Sequence, residues 1–117
     1  MSGYVYILTN ANLTTLYIGV TNNLVRRVFE HVREPAQGSF AKRYNLTRLV
    51  YAEHLLSIVE ASAREKQLKG WSRKKKDALV SSSNPTWADL AKWHEDGGLP
   101  DVELPAHRYG KLDVDED

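Results

Sequence analysis

Tyr4-Val5-Tyr6-Ile7-Leu8 and Leu16-Tyr17-Ile18-Gly19-Val20 are two short apolar runs rich in β-branched and aromatic residues, joined by Asn10-Ala11-Asn12-Leu13-Thr14-Thr15. Two such runs around a polar connection read as a β-hairpin. Strand side chains alternate faces, so Tyr4, Tyr6 and Leu8 share one face of the first strand, and Tyr17, Gly19 and Thr21 share one face of the second. A loop over residues 11–14 sets Tyr6 opposite Gly19 and Leu8 opposite Tyr17. Glycine inside a strand marks close approach by a ligand or another backbone, which makes Gly19, between two phenols, a candidate binding position. The competing reading places both tyrosines in the core of a half-buried sheet, since aromatic residues favour strands in any case.

Downstream, Asn22-Asn23 offers a helix N-cap, and Leu24, Val25, Val28, Phe29 and Val32 recur at helical spacing. That helix carries Arg27 and His31 one turn apart on the flank of its apolar stripe. Pro35 and Gly38 mark a loop, after which Phe40-Ala41-Lys42-Arg43-Tyr44 sets two cations between two aromatics. The pattern suits contact with phosphates and bases, or equally aromatics packed inward beneath solvated cations. Residues 47–56 read as a third strand, with Leu49 and Tyr51 on one face and Arg48 and Val50 on the other.

Ser57 with Glu60 three residues later forms a capping box, and Gly70 fits a helix stop, so a helix is expected from Ile58 to Lys69. On its wheel Ile58, Ala61, Glu65 and Leu68 share one arc, while Glu60 projects from the far side. A carboxylate in an inward stripe needs a partner. For Glu65 the options are Lys69 one turn on, an internal salt bridge, or a divalent metal. Ser72 caps a short helix bearing the cationic run from Arg73 to Lys76, and Asn84-Pro85 is expected to open a last helix holding Trp87, Leu90, Ala91 and Trp93.

With 117 residues the chain makes one domain. It has no cysteine, hence no disulfide, thiolate metal site or cysteine nucleophile. No apolar run approaches the roughly 18 residues of a membrane span, and Met1-Ser2-Gly3 leads straight into the first strand, so the expectation is a cytoplasmic protein with no membrane partner and no obligate protein partner. Phosphate-loop, His-Glu-x-x-His and Gly-x-Ser-x-Gly motifs are absent. The net charge of +1 conceals a split: residues 1–94 hold 14 Lys and Arg against 7 Asp and Glu, whereas residues 95–117 hold 2 against 8. A basic body over residues 1–94 suits a polyanion, and residues 95–117 read as an acidic, flexible tail.

Taken in order, Tyr4-Val5-Tyr6, Tyr17-Ile18-Gly19, Arg27-x-x-x-His31, Glu65 and Asn84 resemble the GIY-YIG nuclease domain. Trp71-x-Arg73-x-x-Lys76-x-x-Leu79 and Asn84-Pro85-x-Trp87-x-Asp89-Leu90 are similar to its small stand-alone bacterial members. The resemblance covers residues 3–93 and departs from the name motif at Tyr4, where glycine is usual. It implies an α+β fold, a three-stranded antiparallel sheet flanked by helices, and an endonuclease that cuts DNA with one magnesium or manganese ion. It implies catalytic roles for Tyr6, Tyr17, Arg27, His31 and Glu65, with Glu65 as metal ligand, and substrate contacts from Gly19, Lys42, Arg43, Arg73, Lys76 and Asn84. Either tyrosine could be the base; Tyr17 is preferred because its strand leads directly into the arginine-bearing helix. The alternative function is a nucleic-acid-binding module that keeps the basic surface and cuts poorly or not at all.

Overall fold

A computed structural model of the chain describes residues 1–104. Strands β1 (Gly3–Thr9) and β2 (Leu16–Thr21) form the antiparallel hairpin in the expected register, Tyr6 opposite Gly19 and Leu8 opposite Tyr17. Asn10 holds the turn, its Oδ1 accepting from the Thr14 and Thr15 amides. Strand β3 (Arg48–Leu55) pairs antiparallel with the other edge of β1, giving the order β2-β1-β3. Helix α1 (Leu24–Arg33) is capped by Asn23, and the short helix α2 (Phe40–Arg43) by Ser39. Their Leu24, Val28 and Ala41 pack with Tyr6, Leu8, Leu49 and Ala52 on one face of the sheet.

Helix α3 (Ile58–Lys69) begins at Ser57, whose Oγ accepts from the Glu60 amide, and helix α4 (Arg73–Ser83) begins at Ser72. Ala61, Leu68, Leu79 and Val80 from these helices meet Val5, Ile7, Ile18 and Tyr51 on the opposite face. Covered on both sides, β1 is buried along its length except at Tyr4. Each fully buried aliphatic side chain there contributes roughly 1.5–3 kcal/mol of transfer free energy. Among the described residues no helix is long and apolar enough to cross a membrane.

Three expectations are corrected. Leu49 and Tyr51 do not share a face: the pairing shifts between Ile7 and Leu8, so that Ile7 meets Tyr51 while Leu8 meets Leu49. The extra residue, Val50, makes a β-bulge, and Leu49 joins the α1 side while Val50 and Tyr51 join the α3 side. Residues 85–90 form no helix. Asn84 ends α4, and its Oδ1 accepts from the Ala88 amide, while Asp89 Oδ1 accepts from the amides of Leu49 and Ala91. These short polar side chains give the backbone partners that a helix would otherwise supply. Finally, the buried ion on α3 is Arg64, not Glu65: Arg64 Nε and Nη2 donate to both oxygens of Glu53 on β3, which also accepts from Tyr51 Oη. Breaking such a buried pair costs about 3–5 kcal/mol.

The acidic segment begins as structure. Strand β4 (Ala91–Lys92) pairs with strand β5 (Asp101–Val102), and Val102 and Leu104 pack against the α1-side core, so residues 95–104 lie on the domain. The remainder of the expected tail, residues 105–117, lies outside the described residues.

Candidate active site

The hairpin register brings the phenols together. Tyr6 and Tyr17 project from adjacent strands with ring centroids 6.2 Å apart, and the imidazole of His31 on α1 sits 5.9 Å from the first and 5.3 Å from the second. Tyr6 Oη and His31 Nε2 share a hydrogen bond of 3.0 Å. Gly19 supplies the space: a Cβ there would overlap the Tyr6 hydroxyl and lie 3.0 Å from the Tyr17 ring. Only a residue without a side chain lets the Tyr6 phenol lie across β2 in this way.

Arg27 stands one turn before His31. Its Nη1 donates to Glu30 Oε1 at 2.9 Å, an exposed pair on the helix surface. Arg27, Glu30 and His31 line a pocket of about 280 Å³ with Glu34, Pro35, Ala36 and Ser39. Burial raises the Tyr6 pKa above the ordinary phenol value and Tyr17 adds to the rise, while the positive charge and hydrogen bonding of Arg27 pull the other way. Burial, followed by the Arg27 charge, lowers His31 to about 4. At neutral pH the imidazole is therefore uncharged. The hydrogen bond to Glu30 raises the Arg27 pKa further above its ordinary value, so the guanidinium stays charged.

Of the residues singled out from sequence, the fold assembles Tyr6, Tyr17, Gly19, Arg27 and His31 into one group. Glu65 lies on α3, which packs against β1 and β2, the strands that carry the phenols. It is 19% exposed, and its Oε2 lies 3.1 Å from Lys69 Nζ. Among the described residues no three His, Asp or Glu side chains are grouped to hold a metal ion. Lys42 and Arg43 lie exposed on α2, with the Arg43 guanidinium over the Tyr44 ring. Lys76 is half-buried on α4.

Arg73 and Asn84 have other partners. Arg73 donates to the carbonyls of Leu13 and Thr14 and to Asp77, which ties α4 to the hairpin turn. The buried Asn84 amide donates to the carbonyls of Val50 and Ala88, so it satisfies the residue at the bulge. Sequence reading passed over Glu30, although its place three residues after Arg27 on a helix was a visible signal. It also passed over Glu53, whose partners Tyr51 and Arg64 lie two and eleven residues away, the first of them on the same strand.

The model of the GIY-YIG catalytic domain matches residues 2–77. A UPF0213 protein of Natronomonas pharaonis is 39% identical over 79 residues, spanning 67% of this chain and 89% of its own. A UPF0213 protein of Desulfotalea psychrophila is 36% identical over 80 residues, spanning 68% of this chain and 72% of its own. A solution NMR structure of a UPF0213 protein from Bacillus halodurans has a TM-score of 0.48 and 30% identity, covering 76% of this chain and 93% of that one.

Proposed function

The chain belongs to the GIY-YIG family, alongside UPF0213 proteins, and from that premise we propose that it is a metal-dependent endonuclease hydrolysing phosphodiester bonds in DNA. The observation that carries this reading is the Tyr6–His31 hydrogen bond laid over Gly19, beside Tyr17 and at the mouth of the pocket lined by Arg27.

In-line hydrolysis needs a base for the attacking water, positive charge for the phosphorane, and help for the leaving oxygen. Burial raises the pKa of Tyr6 and so holds it in the protonated form, and its hydroxyl is bound to His31. Tyr17, half-buried and open toward His31, is assigned the proton. Tyr17, its phenol proton relayed to the neutral His31, takes a proton from water as the new oxygen–phosphorus bond forms and the bond to the leaving deoxyribose oxygen breaks, and that oxygen takes up the relayed proton through solvent. Tyr6 and the neutral His31 orient the water and the phosphate. Arg27 offers a planar fork of donors to two phosphate oxygens, and with one N–H on Glu30 it keeps others for the substrate.

Glu65 is assigned a divalent cation, magnesium or manganese. Its donor set fits: one partly exposed carboxylate, paired with a lysine that can swing away, suits an ion that keeps most of its waters and takes further oxygens from phosphate. Bound there, the ion would neutralise charge on the phosphate and its leaving oxygen. Helix α3 packs against β1 and β2, the strands that carry the phenols.

A second reading, a binding module that cuts poorly, draws on the two ion pairs that engage Arg27 and Glu65 in the free protein. Single-turnover cleavage of plasmid, branched and single-stranded DNA with magnesium separates the two. Tyr17→Phe should lose about 10²–10⁴-fold in rate and Tyr6→Phe less. Wild-type protein that binds DNA without cutting any of these substrates would leave the binding module.

A further inference from the structure

The phenol group continues outward as a row of aromatic rings. Phe40, the first residue of α2, has its centroid 5.9 Å from Tyr17, and Tyr44 follows 4.6 Å beyond Phe40. The Arg43 guanidinium lies 5.7 Å above the Tyr44 ring. Buried aromatics at the inner end give way to exposed ones at the outer end: Tyr6 is 1% exposed, Phe40 45% and Tyr44 38%. Phe40 opens and Tyr44 caps a one-turn helix whose single buried residue is Ala41, so both rings keep a large part of their surface in water.

We propose that Phe40 and Tyr44 form a stacking site for unpaired nucleobases of DNA, next to the scissile phosphate held at Arg27, so that the preferred substrate is single-stranded or locally unpaired. The inference deepens the endonuclease reading and rests on it for the position of the scissile phosphate. Three features support it. The rings start at Tyr17 in the phenol group, so a strand entering that group passes over them. The pocket lined by Arg27 and His31 reaches Ser39, the residue before Phe40, which joins the phosphate clamp to the aromatic row without a break. Lys42 and Arg43 lie between the two rings in the chain and match the charge of a strand whose bases lie on Phe40 and Tyr44. In a continuous duplex both base faces are already stacked, and these rings have no base face to meet. A base–aromatic stack is tolerant of sequence, because every base has a π-face.

Anisotropy titrations without divalent ion, at one fixed salt concentration, test this on the 117-residue chain. The probes are a labelled single-stranded DNA, the same sequence as duplex, an oligonucleotide of abasic sites with equal phosphate count, and the matching RNA. Wild-type protein should bind the base-bearing single strand about tenfold more tightly than the abasic strand or the duplex. Phe40→Leu, which keeps an apolar side chain but removes the ring, should erase most of that preference and leave duplex binding unchanged; Phe40→Trp should keep it. The abasic comparison needs no substitution and so stands even where a variant fails to fold. Equal affinity for abasic and base-bearing strands, an equal loss on duplex and single strand in Phe40→Leu, or a tenfold preference for RNA over DNA would overturn the proposal. Failure of the endonuclease reading shows elsewhere, as single-strand preference in these titrations with no cleavage once magnesium is added.

Discussion

Replacing Gly19 by alanine puts a methyl group where the Tyr6 phenol lies. The new Cβ would overlap Oη and stand 2.5 Å from Cζ, against an ordinary contact of 3.4–4 Å, so the ring must retreat by roughly an ångström. It has little room, being buried and bound to His31. A retreat of that size stretches the 3.0 Å hydrogen bond beyond useful range, a loss of roughly 0.5–1.5 kcal/mol, on top of about 1–3 kcal/mol for overpacking. The lower entropy of the unfolded alanine chain returns about 0.4–1 kcal/mol. A net loss of about 1–3 kcal/mol remains, a fall in Tm on the order of 5–15 °C for a domain of this size. Thermal and urea unfolding followed by circular dichroism measure it. Tyr6→Leu removes both clashing atoms, so Gly19→Ala should cost much less in that background, and the double-mutant cycle should show strong coupling. A Gly19→Ala protein as stable as wild type, or one equally destabilised with and without Tyr6, would refute the packing account.

Glu65→Gln should lower magnesium-dependent cleavage by at least about 100-fold while leaving fold and DNA affinity intact, because the lost surface pair with Lys69 is worth only about 0.3–0.5 kcal/mol. Glu60→Gln, in the exposed first turn of the same helix, should cut normally; an equal loss there would dismiss Glu65 as ligand. For His31 the folded value of about 4 lies below its ordinary 6.5, so the unfolded chain binds the proton more readily. The stability it contributes is complete above about pH 6.5 and is lost as pH falls toward about 4. Urea unfolding across that window should slope less steeply for His31→Gln than for wild type, and parallel slopes would show that burial does not hold this imidazole neutral.

Much of the fold was legible because its signals are local. Alternation in the two apolar runs fixed the face of Tyr6 and Tyr17, and the short polar connection fixed their register. Side-chain caps at Asn23, Ser57 and Ser72 marked three helix starts. With the register in hand, Gly19, Arg27 and His31 fell beside the phenols by geometry. What escaped the sequence depends on partners far along the chain. The bulge at Val50 lies in an unbroken apolar stretch, where alternation gives no sign of a slipped residue. The segment after Asn84 has the caps and spacing of a helix, yet Asn84 and Asp89 bond to β3, 34 and 40 residues away. Arg64 went unread in the sequence because its partner Glu53 lies on β3, 11 residues earlier.

The bulge also ties the sheet to a segment far along the chain. Residues 1–55 hold all three strands, but they do not hold every backbone partner of the start of β3. The Val50 carbonyl waits for the Asn84 amide and the Leu49 amide for the Asp89 carboxylate, while the Leu49 carbonyl accepts from the Leu90 amide. The start of β3 therefore has these backbone partners only when residues 84–90 are in place. That segment acts as a clasp on the bulge, and a chain cut before Asn84 would leave the Val50 carbonyl and both backbone groups of Leu49 without it.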